Sequence, residues 1–250
     1  TIEVAGEKIL TYSGASLSIG ANTLTVTGAG TLSNTNDLVL GDPSSVLKLS
    51  GTNTISGPLS LNAGVIDVDE SSSLSSDLTL GGSATIDVAE EKTLTYSGSP
   101  LSLGTNTLTI AGAGILSNPS GFVLGDQESM LKLSGTNTIS GPILLNAGAI
   151  NVDDSSTLSS DLTMGGSATI DLAQDKTLTY GGETLSLGAN TLTVAGAGTL
   201  TNPSGFLLGD PSSILKLSGA TVGGPISLNA GQINATQTST LSSDLSLGGS

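Results

Sequence analysis

Aliphatic residues recur at every second position in short runs along this chain, and glycine, serine, proline or asparagine closes each run. The stretch from Leu47 to Val68, LKLSGTNTISGPLSLNAGVIDV, shows the pattern: Leu47 and Leu49, Ile55, Leu59 and Leu61, then Ile66 and Val68 alternate with polar residues between SG, GP and NAG turns. Period two marks strands with one buried face. Turn signals at this density exclude helices. The stretch returns from Leu131 and again from Leu215, which makes the chain a tandem repeat.

Two periods are nested. Tyr12, Tyr96 and Tyr180, in LTYSG, LTYSG and LTYGG, stand 84 residues apart. Within that period, aliphatic-x-aliphatic triplets begin at Leu17, Leu38, Leu59, Leu78 and Leu101, at spacings of 21, 21, 19 and 23. The series continues at Phe122, Ile143, Leu162, Leu185, Phe206, Ile226 and Leu245, giving 12 starts. A unit near 21 residues is too short for a helix pair and suits one coil of a solenoid.

The expected fold is therefore all-β: a parallel β-helix (β-solenoid) of about 12 coils of 19–23 residues, with four coils in each 84-residue super-repeat. Right-handed winding is expected because the strict hexapeptide repeat of left-handed solenoids is absent. One continuous domain spans 1–250, with super-repeats at approximately 1–84, 85–168 and 169–250. Beginning in mid-motif at Thr1, it reads as a fragment of a longer chain.

Alternation assigns five inward aliphatics to each coil: Leu17, Ile19, Leu24, Val26 and Leu32 in the first, then Leu38, Leu40, Leu47, Leu49 and Ile55. The third supplies Leu59, Leu61, Ile66, Val68 and Leu74, and the fourth Leu78, Leu80, Ile86, Val88 and Leu94. At about 4.8 Å per coil the rod is about 58 Å long. Gly20, Gly41 and Gly81 are expected at corners of positive φ. Asn62, Asn146 and Asn229 are expected to take the same left-handed corner once per super-repeat.

Charge and composition narrow the function classes. With Lys+Arg 6, Asp+Glu 21 and a net charge of -15, the chain lacks the clustered cations that bind nucleic acid or anionic membranes. Having no His and no Cys, it offers no imidazole or thiolate ligand and no histidine general base. The lack of Cys suits a secreted protein. No apolar run is long enough for a membrane span, so neither nucleic acid nor membrane insertion is expected.

The outward position in the second strand of each coil runs Thr25, Lys48, Asp67, Asp87, Thr109 and Lys132, placing Lys48 one coil from Asp67 as a solvated charge ladder. Asp67, Asp69 and Asp87, with Glu70, are weak metal candidates of the oxygen-ligand, calcium type. They weaken because the later copies carry Asn151, Asn234 and Thr236. Asp42, Asp126 and Asp210, in GDP or GDQ, read as turn caps. Tyr12, Tyr96 and Tyr180 are candidate ligand contacts that would stack on sugars, although wedging a corner of the longest coil is the preferred reading. Thr23, Thr25 and Thr27 do not extend into the ordered array an ice-binding face needs, since Val46, Lys48 and Ser50 follow. No cofactor is expected.

The motif Leu49-Ser50-Gly51-Thr52-Asn53-Thr54, followed by Gly57 and by Asn62-Ala63-Gly64, resembles the autotransporter-associated β-strand repeat of autotransporter passengers and giant bacterial surface adhesins. It departs from that family at Ile55 and Ile139, where Tyr is usual, and at Pro58 and Pro142, where the family has a Gly pair. The resemblance covers about 20 residues of each 84-residue copy. It implies a right-handed β-helix displayed outside the bacterial cell. Its expected role is a non-enzymatic stalk, spacer or filament whose partners are neighbouring repeats, surface glycans or other copies. A carbohydrate-binding β-helix is the alternative. A polysaccharide lyase or hydrolase is weaker, because no long loops wall a groove around paired carboxylates.

Overall fold

The computed structural model describes residues 1–248, which form strands and turns with no helix. Every ladder between neighbouring strands is parallel, and each coil contributes one strand to each of three faces. The second-strand and third-strand faces are each single sheets of 12 strands, so the chain makes about eleven turns of a β-solenoid. The first-strand face, built from the triplets, is divided into three sheets of four strands.

The inward assignments hold. All twenty aliphatics named for the first four coils are buried except Leu17 and Leu24, which are half-buried in a coil near one end. Identical positions stack: Leu24, Leu47, Ile66 and Ile86 are register partners in successive coils, as are Leu38, Leu59 and Leu78. Burying each such side chain is worth about 2 kcal/mol, but only when a neighbouring coil covers it. A lone coil therefore has no core of its own.

The corners correct two expectations. Gly20, Gly104 and Gly188 do have positive φ, near 55° to 58°, but Gly41 and Gly81 do not. Asn62, Asn146 and Asn229 do not take a left-handed corner either. The reversal falls two residues later, on Gly64, Gly148 and Gly231, with φ of 81°, 77° and 75°. Both Asn62 and Ala63 donate their N–H to Leu40 O, and the reversal follows at Gly64. At Gly64 a Cβ would lie 2.3 Å from Ser45 O, so glycine is needed for space as well as for φ. Glu7, Glu91 and Asp175, each before a lysine, are the non-glycine residues of positive φ.

Buried polar side chains tie the turns of successive coils together. Asn53 and Asn137 donate Nδ2–H to Val26 O and Ile110 O, both at 3.0 Å across coils. Ser45 donates to Gly20 O at 2.5 Å, and Ser129 and Ser213 do the same to Gly104 O and Gly188 O. Carbonyls of strands and turns alike thus find donors from buried side chains of the next coil.

Candidate functional site

The breaks in the first-strand face coincide with the tyrosines. Within one sheet, the leading N–H of each strand donates to the following coil: Leu17 to Asp37 O, Leu38 to Pro58 O and Leu59 to Asp77 O. Leu78 departs from this rule. Its N–H donates to the Tyr96 hydroxyl at 3.1 Å, and strands Leu78–Leu80 and Leu101–Ser102 do not pair. Leu162 repeats the arrangement with Tyr180 at 3.1 Å, and strand Leu162–Met164 does not pair with Leu185–Ser186.

The local sequence explains the wedge. Tyr96 ends the third strand Thr93–Tyr96 pointing inward, and its ring lies over Gly98, where a Cβ would come within 2.5 Å of the phenol oxygen. Gly14 and Gly182 are under Tyr12 and Tyr180 in the same way, so the recurring Y-x-G is a ring and the space it needs. Tyr96 and Tyr180 are each only 2% exposed, and burial pushes both phenols above their ordinary pKa. They cannot present a ring face to a sugar, which corrects the candidate ligand role and leaves the corner wedge. Tyr12 is 37% exposed.

Each break opens a shallow cleft. One, of about 360 Å³, is lined by Asp77, Thr79, the edge of Tyr96, Ser99 and Pro100. Its counterpart, of about 310 Å³, is lined by Asp161, Thr163, Tyr180, Glu183 and Thr184. Asp77 accepts the Ser99 N–H at 2.9 Å, which holds its carboxyl below the usual range, and Asp161 accepts the Glu183 N–H at 3.0 Å. The clefts have the same lining positions 84 residues apart, four coils or about 19 Å along the rod. Sequence reading found the tyrosines but not the clefts. Their only signal is the 23-residue spacing after Leu78.

The acidic cluster turns out to be a set of lysine clamps. Lys48 Nζ lies 2.7 Å from Asp67 and 2.8 Å from Asp69, Ser50 donates its hydroxyl to Asp69, and Lys92 takes Glu70 at 2.8 Å. The Lys48 and Ser50 hydrogen bonds hold the Asp69 carboxyl below its ordinary value. Lys48 is raised, mainly by Asp67 and Asp69. Asp67, Asp69 and Asp87 therefore do not converge as metal ligands: a lysine ammonium sits where their charges meet. Among the described residues no group of three acidic side chains is placed to hold a cation.

Asp87 does stand beside Asp67, but its column does not continue to Thr109. Thr85 partners Thr109 and Asp87 partners Ala111, a two-residue displacement in the strand after the wedge. An even shift keeps every side chain on its own face. Desolvation first, then Asp67, raises the Asp87 carboxyl. The second copy keeps Lys132–Asp153 at 2.8 Å, and Lys216, opposite Asn234, has no ion pair among the described residues. Asp42, Asp126 and Asp210 cap their turns as expected, accepting N–H groups of Ser44, Glu128 and Ser212 at 2.8 to 2.9 Å.

No family model, no curated protein and no solved structure matches this chain.

Proposed function

We propose that this chain is a non-enzymatic rod segment, serving as a rigid stalk or spacer in a bacterial surface adhesin or extracellular filament. One observation carries the reading: two parallel ladders of 12 strands run unbroken along the described residues, so each coil is fixed to the next on two faces. Bending such a rod would stretch ladder hydrogen bonds on one side and compress the core on the other. The resemblance of LSGTNT and NAG to the autotransporter-associated repeat supports an extracellular setting and a right-handed coil. Near-identical copies suit a length-setting role better than a reaction, which needs one site rather than three.

The test is to display chains with different numbers of the 84-residue unit beneath a tip domain of known ligand. A spacer changes the reach of the tip by about 19 Å per unit and leaves adhesion of tip-less chains at background. Adhesion that grows with the number of units in tip-less chains would contradict it.

A second reading, a carbohydrate-binding module, is favoured by the two matching clefts at Tyr96 and Tyr180. The double substitution Thr79→Arg and Thr163→Arg fills both without touching the core, since both threonines are exposed. A selective glycan-array signal lost in that variant would support this reading. No selective signal in the parent would remove it.

A further inference from the structure

In every third strand the inward aliphatic is flanked by two outward residues, and throughout the 12-stranded sheet these are serine or threonine except at Ile9, Ile115 and Gly223. Thr93 and Thr95 flank Leu94, for example, and Thr177 and Thr179 flank Leu178. No flank carries a charge, although the chain has a net charge of -15. Strand propensity does not explain this, because the second-strand face has the same need for strand formers and yet presents Lys48, Asp67, Asp87 and Lys132. Nor does solubility, which favours charge on an exposed sheet.

The flanks form a lattice. Thr31, Thr54, Ser73, Thr95 and Ser117 are register partners in succession, and so are Thr138, Thr157, Thr179 and Thr201. At a tyrosine wedge the register steps by two residues, Leu74 meeting Tyr96 while Ser73 meets Thr95, and an even step moves a column sideways without leaving the face. Neighbours along a column are about 4.8 Å apart and the two flanks of one strand about 6.6 Å. The branched Cβ of threonine restricts χ1, so its hydroxyls recur in few orientations. Among the described residues the threonine hydroxyls of this face donate to nothing within the protein, whereas Ser75, Ser159 and Ser242 turn back to Ile55 O, Ile139 O and Val222 O at 3.2 to 3.4 Å.

We propose that this face binds ice. A hydroxyl has one donor and two acceptor sites and can stand for a water molecule at the surface of a crystal, whereas a charged group orders water about itself and disrupts the plane. Both repeats of the lattice are close to those of the water oxygens on the prism faces of ice, and a neutral face matches a neutral crystal. The second-strand face fails the same test, since Thr25 is partnered by Lys48. Ile115, 38% exposed between Thr93 and Thr138, is a flaw in an otherwise hydroxylated column. The inference goes beyond the rod reading, which stands whether or not ice is bound.

The test grows ice slowly from a dilute solution of the 250-residue chain and compares the protein held in the ice with that left in the liquid. Growing ice rejects solutes that do not bind it, so the parent should be enriched in the ice. Thr157→Lys with Thr179→Lys, which puts two charges into one column, should lose that enrichment. Thr85→Lys with Thr169→Lys, at outward threonines of the second-strand face, should keep it. Ile115→Thr, which fills the flaw, should raise it. Circular dichroism identical to the parent's shows that each variant is folded. Parent chain rejected from ice overturns the proposal and leaves the rod intact. Equal losses in the two lysine pairs also overturn it, because capture would then belong to no particular face. Retention on crystalline cellulose with rejection from ice would assign the face to a polysaccharide and overturn it as well.

Discussion

The second-strand and third-strand faces run through all twelve coils without interruption, while the first-strand face stops and restarts at Leu80 and at Met164. All three are made of the same kind of residue, alternating aliphatic and polar, so propensity does not separate them. What differs is a buried tyrosine hydroxyl at each break, on Tyr96 and again on Tyr180 four coils on. Tyr96 reaches into the corner and takes the Leu78 N–H that a ladder carbonyl would otherwise accept. The fold tolerates this on one face because the other two keep their pairing. The 84-residue period is thus a structural unit, four coils between wedges, as well as a sequence repeat.

The largest effect should come from a continuous face. Ile66 is fully buried between Leu47 and Ile86, and Ile66→Asp leaves an unpaired charge in the stack. A loss of about 4 kcal/mol or more is expected, seen as collapse of the denaturation midpoint. An unchanged midpoint would mean that Ile66 does not face the core.

Next comes the wedge itself. Tyr96→Ala should cost about 3 to 5 kcal/mol through the cavity it leaves. Tyr96→Phe, which keeps the ring and deletes the acceptor for Leu78, should cost about 1 to 2 kcal/mol. Tyr12→Phe should have no measurable effect, because the exposed Tyr12 hydroxyl accepts no backbone N–H among the described residues. Equal losses at Tyr12 and Tyr96 in urea titrations would show that the hydroxyl acts in some other way than by capping the break.

Smaller effects separate the charge columns, and pH gives their sign. The folded Asp87 carboxyl is raised, so its contribution is full below the unfolded pKa of about 3.9 and is lost as pH rises through the folded value. Asp87→Asn should therefore raise the melting midpoint slightly at pH 7, an advantage that vanishes in acid. Asp69 is held low, so its contribution is present above the unfolded pKa and lost as pH falls through the folded value. Asp69→Asn should destabilise near neutrality and be silent in strong acid. Thermal melts across pH that showed both variants moving the same way would contradict the lysine-clamp geometry.

Smallest of all is the difference between lysines. Lys48→Met should cost about 0.5 to 1 kcal/mol, as partly exposed ion pairs do. Lys216→Met, opposite Asn234, should cost nothing measurable. A double-mutant cycle of Lys48 with Asp69 measures the coupling directly.

Much of this was legible in the sequence because the solenoid restates its physics in every coil. Leu47, Ile66 and Ile86 alternate with polar residues and must face inward, and the repeat makes each inward position stack on its own kind. The Lys48–Asp67 pair followed from one register step. The break did not, because a tyrosine spaced like a core residue does not say that its hydroxyl will outcompete a ladder carbonyl. Nor did the left-handed corner, where Asn62 looked the better candidate until the double acceptance at Leu40 O moved the reversal to Gly64. The register shift placing Asp87 beside Ala111 was hidden for the same reason: an even displacement leaves the hydrophobic pattern unchanged. The weak metal candidates do not converge because Lys48, read from the register as a partner of Asp67, also takes Asp69, which the register step did not show.

Native-state amide exchange at two equivalent leucines tests the central claim most directly. In a parallel ladder alternate N–H groups point to the same neighbour, so the Leu80 amide, like that of Leu78, points into the break, whereas the Leu61 amide points at the paired strand Leu78–Leu80. The account predicts that Leu80 and Met164 exchange much faster than Leu61 and Leu145, with Leu78 and Leu162 losing protection only when Tyr96 or Tyr180 becomes phenylalanine. Uniform protection across Leu61 and Leu80, unmoved by those substitutions, would contradict it.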